Sequence, residues 1–215
     1  MSPATEGQSR LRAALQALAG IIASGVLLAL YARGGWGWAL GFVALVPWLW
    51  ALERQRSVMA VLAHAVLMAA VFVLAALGWF GAAFGAYVGI DTWLATLLFV
   101  LLAPLLQPQF LAFALVWHAL RRQIHPTVRA LAATAAWVGC EWLLPKLLGD
   151  TLGHGLQPSL LLRQAADLGG AALLTAVLLL VNVALAQALR AGRAAWSPFG
   201  AALMLVGLGF KVSAV

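Results

Sequence analysis

The sequence alternates long apolar stretches with short groups of charged residues, and this alternation predicts membrane-spanning helices. A helix needs about 20 largely apolar residues to cross a bilayer. Seven stretches approach or reach that length, at about 13–32, 36–52, 57–80, 92–120, 128–145, 168–189 and 194–213. We therefore predict an all-α fold, a polytopic transmembrane helical bundle with about seven spans. A single membrane domain at 13–215 would follow a tail at 1–12.

Three features are expected to interrupt this pattern. The segment GWFGAAFGAYVGI is rich in glycine and aromatic residues, so we expect the third helix to end near Phe80 and an interfacial or re-entrant stretch to follow. Pro104 and Pro108 predict a kink in the fourth span, because proline removes a backbone donor. Residues 146–167 are the most polar stretch, and we expect a periplasmic loop with a short amphipathic piece.

Composition supports the membrane assignment. Of the 215 residues, 65% are hydrophobic and only 9% are charged, whereas a soluble domain would be roughly a quarter charged. The net charge of +7 comes from short basic clusters between apolar runs. Such clusters are typical of topology-setting charge in a membrane protein, so we predict no nucleic-acid partner. The single cysteine, Cys140, allows no disulfide framework.

The basic residues predict the orientation, because cytoplasmic loops carry an excess of Lys and Arg. With the N-terminus in the cytoplasm, the inner loops carry nine basic residues and the outer side four. The nine are Arg10, Arg12, Arg54, Arg56, Arg121, Arg122, Arg129, Arg190 and Arg193, and the four are Arg33, Lys146, Arg163 and Lys211. Seven spans then place the C-terminus in the periplasm. We predict a multi-pass protein of the bacterial inner membrane.

Ionisable groups at membrane depth are candidate functional residues, because they are costly to keep there. Glu141 lies about four residues from the outer end of the fifth span, beside Trp142. It is either a polar anchor facing an outward-open cavity or a structural partner of Arg163 or Lys146. His64 lies within the third span, where a bond to a neighbouring helix is expected rather than a cofactor.

A second candidate group lies in and after the polar loop, and its donors and acceptors could contact a lipid headgroup or a peptide. It comprises Asp150, His154, Gln157, Arg163, Gln164 and Asp167. Alternatively, these residues form a solvated loop, with Asp167 as the N-cap of the next helix. No second His or Cys lies near His154, so we expect no metal. We predict no catalytic residue and no cofactor in the chain, because nucleophile and phosphate-binding motifs are missing.

The order of several segments resembles the N-terminal membrane region of bacterial apolipoprotein N-acyltransferase. These segments are GFVALVPWLWAL, the glycine and aromatic stretch after the third span, AWVGCEW, and LLRQAADLGGAALLTAVLLLVNVALA. The resemblance covers roughly residues 15–190. It implies transfer of an acyl chain from a phospholipid to the α-amino group of a lipoprotein's diacylglyceryl-cysteine, performed by a periplasmic nitrilase-like domain with a Glu-Lys-Cys triad.

The chain also departs from the family pattern. The sequence stops at Val215, where the nitrilase-like domain would begin, and no triad residue can be mapped onto it. The family's arginine after Glu-Trp is Leu143 here. Whether the chain is an enzyme stays open, and by itself we expect it to be inactive. The alternative is a non-catalytic accessory or scaffold subunit of a larger membrane complex. The expected partners are membrane phospholipids, together with a lipoprotein substrate or other membrane subunits.

Overall fold

A computed structural model describes residues 3–122, 125–144, 149 and 151–191. Its seven α-helices are α1 (Pro3–Ala32), α2 (Val46–Leu52), α3 (Val58–Val88), α4 (Thr92–Leu106), α5 (Gln109–Ala119), α6 (Pro126–Leu143) and α7 (Leu160–Ala191). Two 3-10 helices, Gly35–Phe42 and Leu152–Leu156, precede α2 and α7 respectively. The described part of the chain contains no strand, which confirms the predicted all-α fold.

Four helical segments are long and apolar enough to cross a membrane. They are Leu11–Ala32, Gly35–Leu52, Val58–Val88 and Leu160–Arg190, and the bent pair α4 and α5 adds a fifth if it forms one span. Helix α6 overlaps the predicted span at 128–145 but is not among these segments. The predicted last span at 194–213 lies outside the described residues. The count of seven spans and the orientation therefore stay predictions.

The second apolar stretch is less regular than the sequence suggests. Instead of one α-helix over 36–52, a 3-10 helix ends at Phe42 and α2 begins at Val46. Side chains from two other helices complete the hydrogen bonding of this interrupted backbone. Asn182 of α7 accepts from Leu45 N at 2.8 Å and donates to Gly41 O at 2.8 Å. Ser24 Oγ of α1 accepts from Trp48 N at 2.9 Å.

Helix α3 continues through the glycine and aromatic stretch, which corrects the expected end near Phe80. It runs to Val88, and Gly89 follows in the left-handed conformation that commonly ends a helix. The glycines serve close packing here, because a Cβ at Gly81 would lie 2.5 Å from Thr96 Oγ1 of α4. Glycines on one face of a helix thus permit a tight helical pair instead of breaking the helix.

The expected kink in the fourth apolar stretch is a break between two helices. Helices α4 and α5 are bent by 44° around Gln107 and Pro108. Helix α4 buries only Ala95 and Ala103, and its main packing partner is α3. Helix α5 instead lies in the core, where Phe110 and Phe113 are fully buried between α3 and α6.

Helix α7 begins at Leu160, earlier than the predicted span at 168–189. A kink at Gly169 and Gly170 divides it, and Gly170 has a φ of +62°, which a residue with a side chain rarely adopts. Asp167 lies in the last turn before this kink, so it is not the expected N-cap of the following helix. The amphipathic piece predicted near the interface corresponds to the first part of α7, where Leu162 and Ala165 are buried.

One end of the bundle gathers most of the basic residues predicted to be cytoplasmic, and we call it the arginine end. Arg129 forms a two-pronged ion pair with Glu53, with N–O distances of 2.9 and 3.1 Å. Trp117 Nε1 donates to the same carboxylate at 2.6 Å, and Arg190 Nη1 lies 3.9 Å from it. Arg121 donates to the carbonyl of Gln55 at 3.0 Å. Glu53 therefore links α2 to α5, α6 and α7.

We expect replacement of Asn182 to destabilise the protein. Asn182→Leu keeps the volume but leaves Leu45 N and Gly41 O unpaired in the core, and each buried unpaired group costs about 1–3 kcal/mol. We therefore expect a loss of about 2 kcal/mol in the free energy of unfolding, measured by tryptophan fluorescence in detergent. Gln187→Leu, on the same helix, is the control because the Gln187 side chain makes no hydrogen bond in the described structure. Equal stability of both variants would refute the bracing role of Asn182.

Candidate functional site

A cavity of about 430 Å³ lies at the end of the bundle opposite the arginine end. It lies among α1, α3, the α4–α5 break, α6 and the second 3-10 helix. The side toward α1 and α3 is mostly apolar, and the side toward α5, α6 and the 3-10 helix is polar. Its described lining comprises Leu28, Tyr31, Ala32, Phe72, Ala76, Leu77, Trp79, Gln107, Gln109, Trp137, Glu141, Thr151, Leu152, His154 and Gly155.

Two glutamines reach the cavity because the helix is broken there. Gln107 ends α4, Gln109 begins α5, and Gln109 Nε2 donates to Gln107 Oε1. Gln109 is only 3% exposed, and its Oε1 has no hydrogen-bond partner in the described structure. A buried amide oxygen without a partner is costly, so this wall offers an acceptor to a ligand or a water molecule.

The second 3-10 helix covers part of the cavity and is held by α1 and α7. Tyr31 Oη donates to the carbonyl of Leu152, and Gly153 N donates to Thr175 Oγ1 at 2.9 Å. Gly155 packs directly against the Tyr31 ring, since a Cβ there would lie 2.3 Å from Tyr31 Cζ. The Tyr31 contacts join parts of the chain more than 120 residues apart, and together these contacts hold the polar loop over the cavity.

Glu141 is the only carboxylate in the described lining. It accepts a hydrogen bond from Trp137 Nε1, four residues earlier on α6, at 3.1 Å. Its neighbour Trp142 is 81% exposed and does not line the cavity. Arg163 is exposed, and its proposed partnership with Glu141 stays a prediction. The other proposed partner, Lys146, lies outside the described residues.

His154 also lines the cavity, at the more exposed edge. Its Nδ1 accepts from Thr151 N at 2.9 Å, which completes a capping box at the start of the 3-10 helix. The acceptor role of Nδ1 leaves Nε2 as the N–H donor of a neutral imidazole. His154 therefore stabilises the loop and at the same time presents a donor at the rim.

Besides Trp142, three predicted site residues lie away from this cavity, on the first part of α7. They are Arg163, Gln164 and Asp167, and their side chains are exposed. The sequence analysis did not identify Tyr31, Thr151 or the two glutamines as site residues. The motif Gln-Pro-Gln was an available signal, because a proline at a helix break exposes neighbouring polar groups.

The arrangement is suited to binding and orienting an amphiphile. Its volume lies within the usual range for ligand pockets, about 300–1,000 Å³, and it combines an apolar wall with a few convergent polar groups. Among the described residues, no three His, Cys, Asp or Glu side chains come together as a metal site would require. The described lining offers hydrogen bonds and one carboxylate.

The protein has long apolar helices, and in the interrupted stretch Gly35–Leu52 the backbone groups bond to Asn182 and Ser24. These features define an α-helical membrane protein. The chain belongs to the apolipoprotein N-acyltransferase family, because the family's N-terminal domain matches residues 24–184. This match confirms the resemblance found in the sequence and covers every described lining residue of the cavity. No curated protein and no solved structure shows a significant match to the chain.

We expect Tyr31→Phe to loosen the loop over the cavity. The variant removes the Tyr31 hydroxyl bond to Leu152 O, and an uncompensated buried acceptor costs about 1–3 kcal/mol. Amide hydrogen exchange at 152–156 should accelerate, while exchange within α5 should stay unchanged. Tyr87→Phe is a matched control, because Tyr87 is 89% exposed. Unchanged exchange at 152–156 in Tyr31→Phe would contradict this role.

Proposed function

We propose that this chain is a membrane module of an apolipoprotein N-acyltransferase in the bacterial inner membrane, with its N-terminus in the cytoplasm. In this orientation the arginine end lies in the cytoplasm and the cavity opens toward the periplasm. The module receives a lipidated substrate and positions its polar head for acyl transfer. Support comes from the family membership of residues 24–184 and from the amphipathic cavity that these residues form.

The charge of the cavity favours the amine-bearing acceptor over a phosphate. Glu141 contributes a carboxylate, and the described lining contains no Lys or Arg. A carboxylate attracts an ammonium group and repels a phosphate, more strongly where water is partly excluded. In the family's reaction the acceptor is the α-amino group of a diacylglyceryl-cysteine. We therefore assign the polar side of the cavity to this amino terminus.

The apolar side of the cavity fits the acyl chains of the same substrate. Phe72, Ala76 and Leu77 of α3 face Leu28 of α1 across it. Apolar surface removed from water contributes about 25 cal/mol per Å², so these walls would supply much of the affinity. The single observation that carries the proposal is a carboxylate placed beside an apolar wall in the membrane domain of this family.

We expect Glu141→Gln to weaken binding of an amine-bearing lipopeptide selectively. The variant keeps the volume and removes the charge that attracts the ammonium group. A synthetic diacylglyceryl-cysteine peptide should bind about tenfold more weakly, as expected when a charged hydrogen bond is lost. The N-acetylated peptide should bind the wild type and the variant alike. Microscale thermophoresis on the full chain in nanodiscs would measure both affinities.

The matched control for this experiment is Asp167→Asn, which removes an exposed carboxylate outside the cavity. It should leave both affinities unchanged. An equal loss of affinity in Asp167→Asn and Glu141→Gln would reveal a diffuse effect of net charge. That result, or equal binding of both peptides to the wild type, would overturn the assignment.

The orientation can be tested with single cysteines in a Cys140→Ser background. Trp36 is 82% exposed near the cavity end, and Ser57 is exposed at the arginine end. A membrane-impermeant maleimide should label Trp36→Cys in intact spheroplasts and Ser57→Cys only after lysis. The reverse pattern would place the cavity in the cytoplasm and remove the link to periplasmic acyl transfer.

A further inference from the structure

A second cavity, of about 460 Å³, lies at the arginine end between α1, α2 and α3. We call it the inner groove. It is separate from the cavity near Tyr31, and none of its lining residues is shared with it. Its lining comprises Ala13, Ala14, Gln16, Ala17, Leu18, Ile21, Ala51, Arg54, Gln55, Ala60, Ala63, His64 and Leu67.

Small side chains create the space for this groove. Ala13 and Ala17 of α1 face Ala60 and Ala63 of α3, and these four residues leave a gap between the two helices. Ala63 is exposed, so the groove is open toward the surroundings of the bundle. Both helices are long and apolar enough to cross a membrane, so an opening between them is accessible to lipid.

The mouth of the groove carries an oriented cation. The guanidinium of Arg54 stacks on the Trp50 ring at 3.5 Å, and its Nη1 donates to Gln16 Oε1 at 2.6 Å. The nearest carboxylate along the chain, Glu53, is engaged by Arg129. Arg54 itself takes part in no ion pair within the described structure. Its remaining donors are therefore available to an anion.

The wall of the groove holds a buried imidazole without a partner. His64 is only 5% exposed, and its Nε2 makes no hydrogen bond in the described structure. It lies six residues after Val58, the start of α3, which is about 9 Å along the helix axis. A buried ring nitrogen that bonds nothing in the protein is costly, and here it lies in the wall of an open groove.

We propose that the inner groove binds an anionic glycerophospholipid of the cytoplasmic leaflet. Its phosphate contacts Arg54, a glycerol ester carbonyl accepts from His64, and one acyl chain lies between α1 and α3. The depth of His64, about 9 Å along α3 from Val58, is comparable with the headgroup and ester layer of each leaflet, which is about 5–8 Å thick. The positive end of the α3 dipole lies at the same mouth and favours an anion there.

Charge complementarity selects this occupant. The mouth offers a guanidinium that forms no ion pair in the described structure, beside a helix N-terminus, whereas a zwitterionic headgroup would bring its own cation against Arg54. A free phosphate would leave His64 and the apolar walls unused. The inner groove therefore prefers an anion. The cavity near Tyr31, whose described charge is a carboxylate, prefers a cation.

The test is lipid titration of the full chain in mild detergent, with the unfolding midpoint followed by tryptophan fluorescence. Phosphatidylglycerol should raise the midpoint of the wild type, while phosphatidylcholine and glycerol phosphate should not. Arg54→Gln should weaken the apparent affinity for phosphatidylglycerol about tenfold, the usual effect of losing a charged hydrogen bond. Each variant is compared with its own lipid-free midpoint, so a change in basal stability does not affect the reading.

Arg56→Gln is the matched control, because it removes the same charge two residues away without touching the groove. Its affinity for phosphatidylglycerol should equal that of the wild type. His64→Phe should weaken binding and His64→Gln should preserve it, since Gln retains a donor. Equal losses in Arg54→Gln and Arg56→Gln, an equal response to phosphatidylcholine, or the same shift with glycerol phosphate would overturn the proposal.

Discussion

The fold depends on satisfying backbone groups where hydrocarbon supplies no hydrogen bonds. The stretch from Gly35 to Leu52 changes from a 3-10 helix to an α-helix at membrane depth and so leaves amides and carbonyls unpaired. Asn182 and Ser24 supply the missing bonds from α7 and α1. This irregular segment thus determines which helices lie next to it. Its 3-10 helix also contacts the second 3-10 helix, which Tyr31 holds in place.

Charge divides the molecule into two ends with different chemistry. At the arginine end, Glu53 is engaged by Arg129, Trp117 and Arg190, whereas Arg54 takes part in no ion pair within the described structure. At the opposite end, the described cavity lining contains Glu141 and no Lys or Arg. Apolar helices connect these ends and carry almost no charge between them. The two ends therefore present charges of opposite sign to a ligand.

Apolar runs predicted most helices because segment length and hydropathy are local properties. The sequence misled at 81–88, where Gly81 and Gly85 serve packing against α4, and at Asp167, because α7 begins before the kink. Glu141 and His154 were found as rare polar groups near an interface. Tyr31 was missed because its partner Leu152 is 121 residues away, and no local pattern encodes such a contact. The inner groove could not be predicted either, because alanines in a sequence indicate only close helix packing.

Helix α4 makes its main contacts with α3 and turns exposed leucines outward over most of its surface. A helix held along a single face responds to hydrophobic mismatch by tilting, at a modest cost per ångström. The pivot for such tilting is the break at Gln107 and Pro108. Gln107 and Gln109, on either side of this proline, line the cavity. Tilting of α4 about this break would change the width of the polar wall, so acyl-chain length in the surrounding membrane would act on the cavity without entering it.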